Sequence, residues 1–301
     1  MTRVRRGSQG GRLISPSISV LVVSILVTTA CTGGSVTPST STRSASPPAP
    51  TASPAASSAP SVVVASPPAD PGSRPSIAGK FAVSDDGRRL ALVCWGAGTP
   101  TVLLETGGPN IEEWTGSGMV RQLAGQTRVC TYDRTGTGAS DPPPFERRDA
   151  DDVVSDLKAL LDATDVDGPY VLLGRSFGGM IVTHYAETVP EDVAGVVILD
   201  TPAPSATFTE ESEPELVWDH PGNTERLDVV GGFENRFAND PPKLEVPVLI
   251  ITPLPGEGSA EDESFWLQVS PKSRQVELAC GEEPTEGRCA EAVVEFVNGL
   301  R

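Results

Sequence analysis

The chain has 301 residues, and its 40 Asp and Glu outnumber 23 Lys and Arg to give a formal net charge of −17. An acidic surface with no lysine or arginine run argues against nucleic acid or anionic lipid as partner and is an ordinary solubility feature of an exported protein. With two histidines and no CxxC pair the sequence implies no metal site, and it calls for no organic cofactor.

Residues 1–30 read as a secretory signal. Arg3, Arg5, Arg6 and Arg12 stand without an acidic residue ahead of the apolar run ISVLVVSILVTTAC, which is too short to be read as a membrane span. Thr28-Thr29-Ala30-Cys31 resembles a bacterial lipobox, with Thr28 where leucine is usual. The resemblance implies that Cys31 is lipidated and becomes the mature N-terminus; an ordinary cleaved signal or an uncleaved anchor are the alternatives. The protein is then exported, as a cell-envelope lipoprotein whose lipid anchor is its only membrane contact, or secreted. Losing the four leader arginines takes the net charge from −17 to −21. Residues 31–76 are Ser, Thr, Pro and Ala with almost no charge, a composition that cannot bury enough apolar surface to fold, so a disordered tether is expected. Residues 77–301 remain for one domain, enough for a substantial core.

In that domain apolar β-rich runs alternate with helical patterns. LALVCW (90–95), TVLLET (101–106) and TRVCTYD (127–133) are strand-like. Residues 149–164 place Val153, Val154, Leu157, Leu160 and Leu161 on one helix face, with Asp149, Asp151 and Asp152 at its positive end. YVLLG is a strand, FGGMIVTHYAETVP a helix, and VAGVVILD and VPVLIIT (246–252) are strands. RQVELA and a helix over about 289–300 close the chain. The continuous apolar runs fit a sheet covered on both faces, which makes the fold α/β with a mostly parallel central sheet. Residues 201–245, rich in Glu, Pro and Asn, break the rhythm and read as a short cap inserted over the carboxyl edge, where ligands bind in such folds. A long irregular connection is the alternative.

The stretch LLGRSFGGM (172–180) sets Ser176 between Gly174 and Gly178, the Gly-x-Ser-x-Gly spacing of a nucleophile elbow. A strand enters it and a helix leaves it. The tight turn needs a strained serine and flanking residues without side chains. Phe177 then offers a backbone N–H at a helix start, aimed where an oxyanion would form. LLETGGPN supplies the second donor, Gly108, from a loop that Gly107 and Gly108 let approach a substrate; a plain turn is the alternative. Cys94, Cys130, Cys280 and Cys289 are an even number in an exported chain and suggest two disulfides, for which three pairings are possible.

ETGG, above all RVCTYDRTGTGASD, and then GRSFGG, in this chain order, resemble the α/β-hydrolase superfamily, closely over about 80–200 and loosely beyond. The resemblance implies that the Cys94 and Cys130 strands are neighbours, favouring the pairs Cys94–Cys130 and Cys280–Cys289. It makes YDRTGTGASD mostly structural and assigns Asp133 and Arg134 no chemistry. The family's triad runs Ser, then Asp or Glu, then His. Asp262, in the loop after VPVLIIT, and Asp200, closing VVILD, compete for the acid. The histidine is the departure: CGEEPTEGRC stands where it belongs, bracketed by Cys280 and Cys289, and a glutamate is a far weaker base than imidazole. His184 lies eight residues past Ser176 on one helix, roughly 12 Å along its axis, and reads as a packing residue. His220, in the cap, is the remaining candidate base, against an exposed loop histidine.

Two functions follow. One is a serine hydrolase of small ester or related acyl substrates, with impaired activity because its triad is incomplete. The other is a non-catalytic, surface-tethered binding protein that keeps the fold and pocket.

Overall fold

A computed structural model of the chain describes residues 74–301 apart from 109, 165, 205–208, 255–259 and 281–286. The expected leader, Cys31 and nearly all of the tether lie outside the described residues, as does most of CGEEPTEGRC.

Among the described residues eight strands form one sheet: β1 (Ile77–Ala82), β2 (Arg89–Trp95), β3 (Thr101–Glu105), β4 (Val129–Tyr132), β5 (Tyr170–Arg175), β6 (Val193–Leu199), β7 (Val248–Pro253) and β8 (Ser273–Leu278). Their order is β1-β2-β4-β3-β5-β6-β7-β8. β1 and β2 run antiparallel to their neighbours, and every pair from β4 to β8 is parallel. Every residue of β3 and β4 is buried, because helices cover both faces. The pleat divides them: Val102 and Leu104 enter one core with Leu123 and Val293, while Leu103 enters the other with Leu157 and Ile181. The helices are α1 (Asn110–Trp114), α2 (Gly118–Ala124), α3 (Ala150–Asp162), α4 (Phe177–Thr188), α5 (Asn235–Asn239), α6 (Ala260–Leu267) and α7 (Gly287–Gly299). α3 starts on a capping box in which Asp149 accepts from the Asp151 and Asp152 N–H groups and Asp152 accepts from that of Asp149.

Cys94 and Cys130 face each other in the β2–β4 register and are bonded; Cys280 and Cys289 are bonded between the end of β8 and the first turn of α7. Between β6 and β7 the chain forms short turns, a π-helical turn over Val230–Glu234 and α5. This segment is sewn to the loop after β4. Arg148 N–H donates to Arg226 O (2.9 Å), Asp228 N–H donates to Arg148 O (2.9 Å), and the Thr224 carbonyl fills the space a Cβ would need at Gly136. No helix among the described residues is long and apolar enough to cross a membrane.

Candidate active site

β5 delivers Ser176 at its carboxyl end with φ 53° and ψ −133°, and α4 begins at the next residue. The Ser176 N–H is shared between the Leu199 and Asp200 carbonyls at 3.2 Å each, which ties the strained turn to the end of β6. A Cβ at Gly174 would stand 2.3 Å from Gly178 O, and one at Gly178 would stand 2.5 Å from Glu105 O. The sharp turn therefore requires glycine at both places. Ser176 is exposed and borders two cavities. One, of about 400 Å³, has Asp200, Thr201, Thr252, Asp262 and Trp266 in its wall; the other, of about 340 Å³, has Gly107, Phe177, Met180, Leu227 and Val229.

The loop after β3 lies against the serine: a Cβ at Gly107 would be 3.7 Å from both Phe177 N and Ser176 Oγ. Its backbone is held from behind by Arg134, 2 % exposed, which donates to Thr106 O (2.7 Å) and Gly107 O (3.1 Å). In a trans peptide the C=O and N–H point opposite ways, so the Gly108 N–H faces away from Arg134. The same guanidinium donates to Glu105 Oε1 at 2.5 Å and forks onto both oxygens of Glu225 at 2.7 Å. Asn110 completes the scaffold, donating to Glu105 Oε1 (2.5 Å) and accepting from the Thr106 N–H (2.7 Å). Burial pushes the Glu105 carboxyl up against the opposing pull of Arg134. Burial also disfavours the Arg134 cation, but the Glu225 and Glu105 carboxylates more than offset it and hold Arg134 charged.

Ser176, Asp200 and Asp262 come together around one cavity. Asp200 sits at φ 48° just past β6, and Asp262, on α6, accepts the Ala203 N–H. α6 is itself fixed by Trp266, whose indole N–H donates to Thr201 O at 2.9 Å. His220 is not in the described wall of either cavity. Its Nδ1 accepts the Gly222 N–H (3.1 Å) in a turn whose Gly222 and Asn223 do reach the second cavity. His184 is buried on α4, its Nε2 2.7 Å from Asp151 Oδ1 and its Nδ1 2.6 Å from Arg236 Nη1. Residues 281–286 contain no histidine. Among the described residues no group of three or more His, Cys, Asp and Glu is suited to hold a metal ion. Gly107 takes the place its sequence context gives it, close to Ser176, whereas nothing local in the sequence marks Glu105, Glu225 or Trp266 as site-forming; Arg134, expected to be structural, is marked only as a charged residue just past the apolar run VCTY.

A family model described as the alpha/beta hydrolase fold matches residues 100–239. The chain is 35 % identical over 108 residues to the probable transporter efuK of Hormonema carpetanum, covering 35 % of this chain and 15 % of that protein. It is 31 % identical over 158 residues to the 2-hydroxymuconate semialdehyde hydrolase of Pseudomonas sp. (strain CF600), covering 51 % and 55 %. The chain thus spans about half, or less, of the length of these curated relatives. The solved structure of a thermophilic esterase from Thermogutta terrifontis superposes with a TM-score of 0.60 at 20 % identity, covering 75 % of this chain and 99 % of that one, a likeness of fold. With the family model matching residues 100–239 across the elbow, and an eight-stranded, mostly parallel sheet that superposes on that esterase, the chain has the α/β-hydrolase fold.

Proposed function

We propose that the protein is a serine hydrolase of small ester or related acyl compounds. The observation that carries this reading is Ser176 itself, held at positive φ between two glycines and exposed to two cavities. Keeping a serine in that conformation is costly unless the hydroxyl is used. In the proposed reaction Ser176 Oγ attacks the substrate carbonyl carbon and its proton passes to a base. The carbonyl π pair moves to oxygen, where the Phe177 and Gly108 N–H groups receive it. Collapse expels the alcohol with a proton, and water then repeats the sequence on the acyl-enzyme. Asp262 or Asp200 is the acid. His220, brought in by movement of its turn, or a water molecule takes the place of the family's histidine. An incomplete triad still leaves roughly 10³ to 10⁴-fold acceleration, so weak turnover is expected. We place the protein outside the cell, lipid-anchored through Cys31 or secreted.

A fluorophosphonate probe tests the reading. Labelling of the wild type that disappears in Ser176→Ala supports it, and no labelling between pH 6 and pH 9 would overturn it. The second reading, a binding protein that no longer turns over substrate, is favoured by the sequence having only His184 and His220 to offer as base. It predicts an unlabelled Ser176 in a protein that still binds ligands in the cavities.

A further inference from the structure

The cavity of about 340 Å³ beside Ser176 has an apolar lining that includes Phe177, Met180, Leu227 and Val229. Its charged lining residues are Glu215, Glu225 and Glu234, and no Lys, Arg or His is among the described residues of the wall. Of the cations near it, Arg134 is engaged behind the wall with Glu225, Glu105 and the Thr106 and Gly107 carbonyls, Arg148 with Asp156, and Arg175, in the wall of the other cavity, with Glu113. The internal segments outside the described residues add no Lys, Arg or His either: positions 109, 165, 205–208, 255–259 and 281–286 hold Pro, Asp, Ser, Ala, Thr, Phe, Gly and Glu.

A substrate carboxylate entering this cavity would lose its water without gaining a cation, and would face carboxylates already there. An ammonium group meets the opposite balance, with apolar walls for its carbon frame, carboxylates for its charge and the Phe177 ring beside it. We infer that the protein takes acyl compounds carrying a cationic group in preference to uncharged ones, and rejects those carrying a carboxylate. The inference names the substrate class of the hydrolase reading and rests on it for turnover, although the order of binding stands without any chemistry.

Three esters of similar size make the test: butyrylcholine, its uncharged isostere 3,3-dimethylbutyl butyrate, and 4-butyryloxybutanoate. Binding of each to the full chain carrying Ser176→Ala is measured by titration calorimetry at low salt. The expected order is cation, then neutral, then anion, with the choline ester on the order of tenfold tighter than the neutral one. The gap should narrow as salt is raised. Glu215 is exposed, so Glu215→Gln, which leaves the core untouched, should close part of it. Equal affinities, a tighter carboxylate, no binding of any of the three, or an undiminished gap in a folded Glu215→Gln variant would each overturn the inference. Failure of the hydrolase reading looks different: Ser176 is then not labelled by fluorophosphonate, while the order of binding holds.

Discussion

Arg134 shows how one side chain sets the geometry of a site it never enters. Its guanidinium fixes two carbonyls of the loop after β3 and forks onto Glu225, a residue of the segment between β6 and β7 that also lines a cavity beside Ser176. Lysine keeps the charge but offers a point donor in place of a rigid fork. Arg134→Lys should therefore slow fluorophosphonate labelling of Ser176 by about tenfold or more while leaving ground-state binding of butyrylcholine near its wild-type value. A stopped-flow labelling series beside calorimetry on the same variant separates the two, and parallel losses in both would show a general loss of structure instead. Gly178 is held to its identity just as tightly. An added methyl would stand 2.5 Å from Glu105 O, so Gly178→Ala should cost roughly 1–3 kcal/mol or more, read from urea unfolding. The elbow was legible in the sequence because its two glycines and serine fall within five consecutive positions whose spacing is the turn itself. The Arg134–Glu225 fork was not, because its partners are 91 residues apart and nothing local in either stretch announces the other.

At the scale of elements, the same contrast separates buried runs from exposed ones. β2, β3, β5, β6 and β7 were readable as continuous apolar stretches, since each is covered on both faces. β1 was not assigned, being an edge strand whose residues are all half-buried or exposed, and α1, α2 and α6 run only five to eight residues, too short to display a period. α4 packs on α3 and on the segment carrying α5 through one histidine. His184 stacks edge-on against Phe233, and its ring nitrogens meet Asp151 of α3 and Arg236 of α5. The Arg236 N–H donates to Nδ1, so the neutral ring carries its proton on Nε2 and donates to Asp151. Burial first, and then the Arg236 charge, hold the His184 pKa below its ordinary value, against the pull of Asp151 and Glu187. The unfolded chain then binds this proton more readily than the folded one. The contribution of the neutral ring is present above the unfolded value of about 6.5 and lost as pH falls through it towards the lowered folded value. Urea midpoints at pH 7.5 and pH 5.5 should drop for the wild type, and the drop should be smaller in His184→Gln. An equal drop in the two proteins would mean that the histidine does not carry this dependence.

For the whole molecule, what distinguishes this chain is how its two disulfides divide the fold. Cys94–Cys130 closes a loop with a separation of 36 residues that holds β3, α1 and α2, and with them the loop that faces Ser176. Cys280–Cys289 closes a separation of only nine residues. Restricting the unfolded chain scales with the logarithm of the loop, so the first should contribute about 4 kcal/mol and the second about 3 kcal/mol. Packing widens the gap. All four cysteines are buried, but Cys94 and Cys130 stand at paired positions within the sheet, whereas Cys280 sits beyond the last strand. Cys94→Ser with Cys130→Ser should therefore lower the urea midpoint more than Cys280→Ser with Cys289→Ser, and it alone should also slow labelling of Ser176, because it loosens the strands that carry the loop after β3. Thiol titration of the denatured, unreduced wild type fixes the starting point: four free thiols would remove both bonds from the account. A larger loss from the C-terminal pair would show that docking of α7, and not closure of the long loop, limits the stability of the sheet.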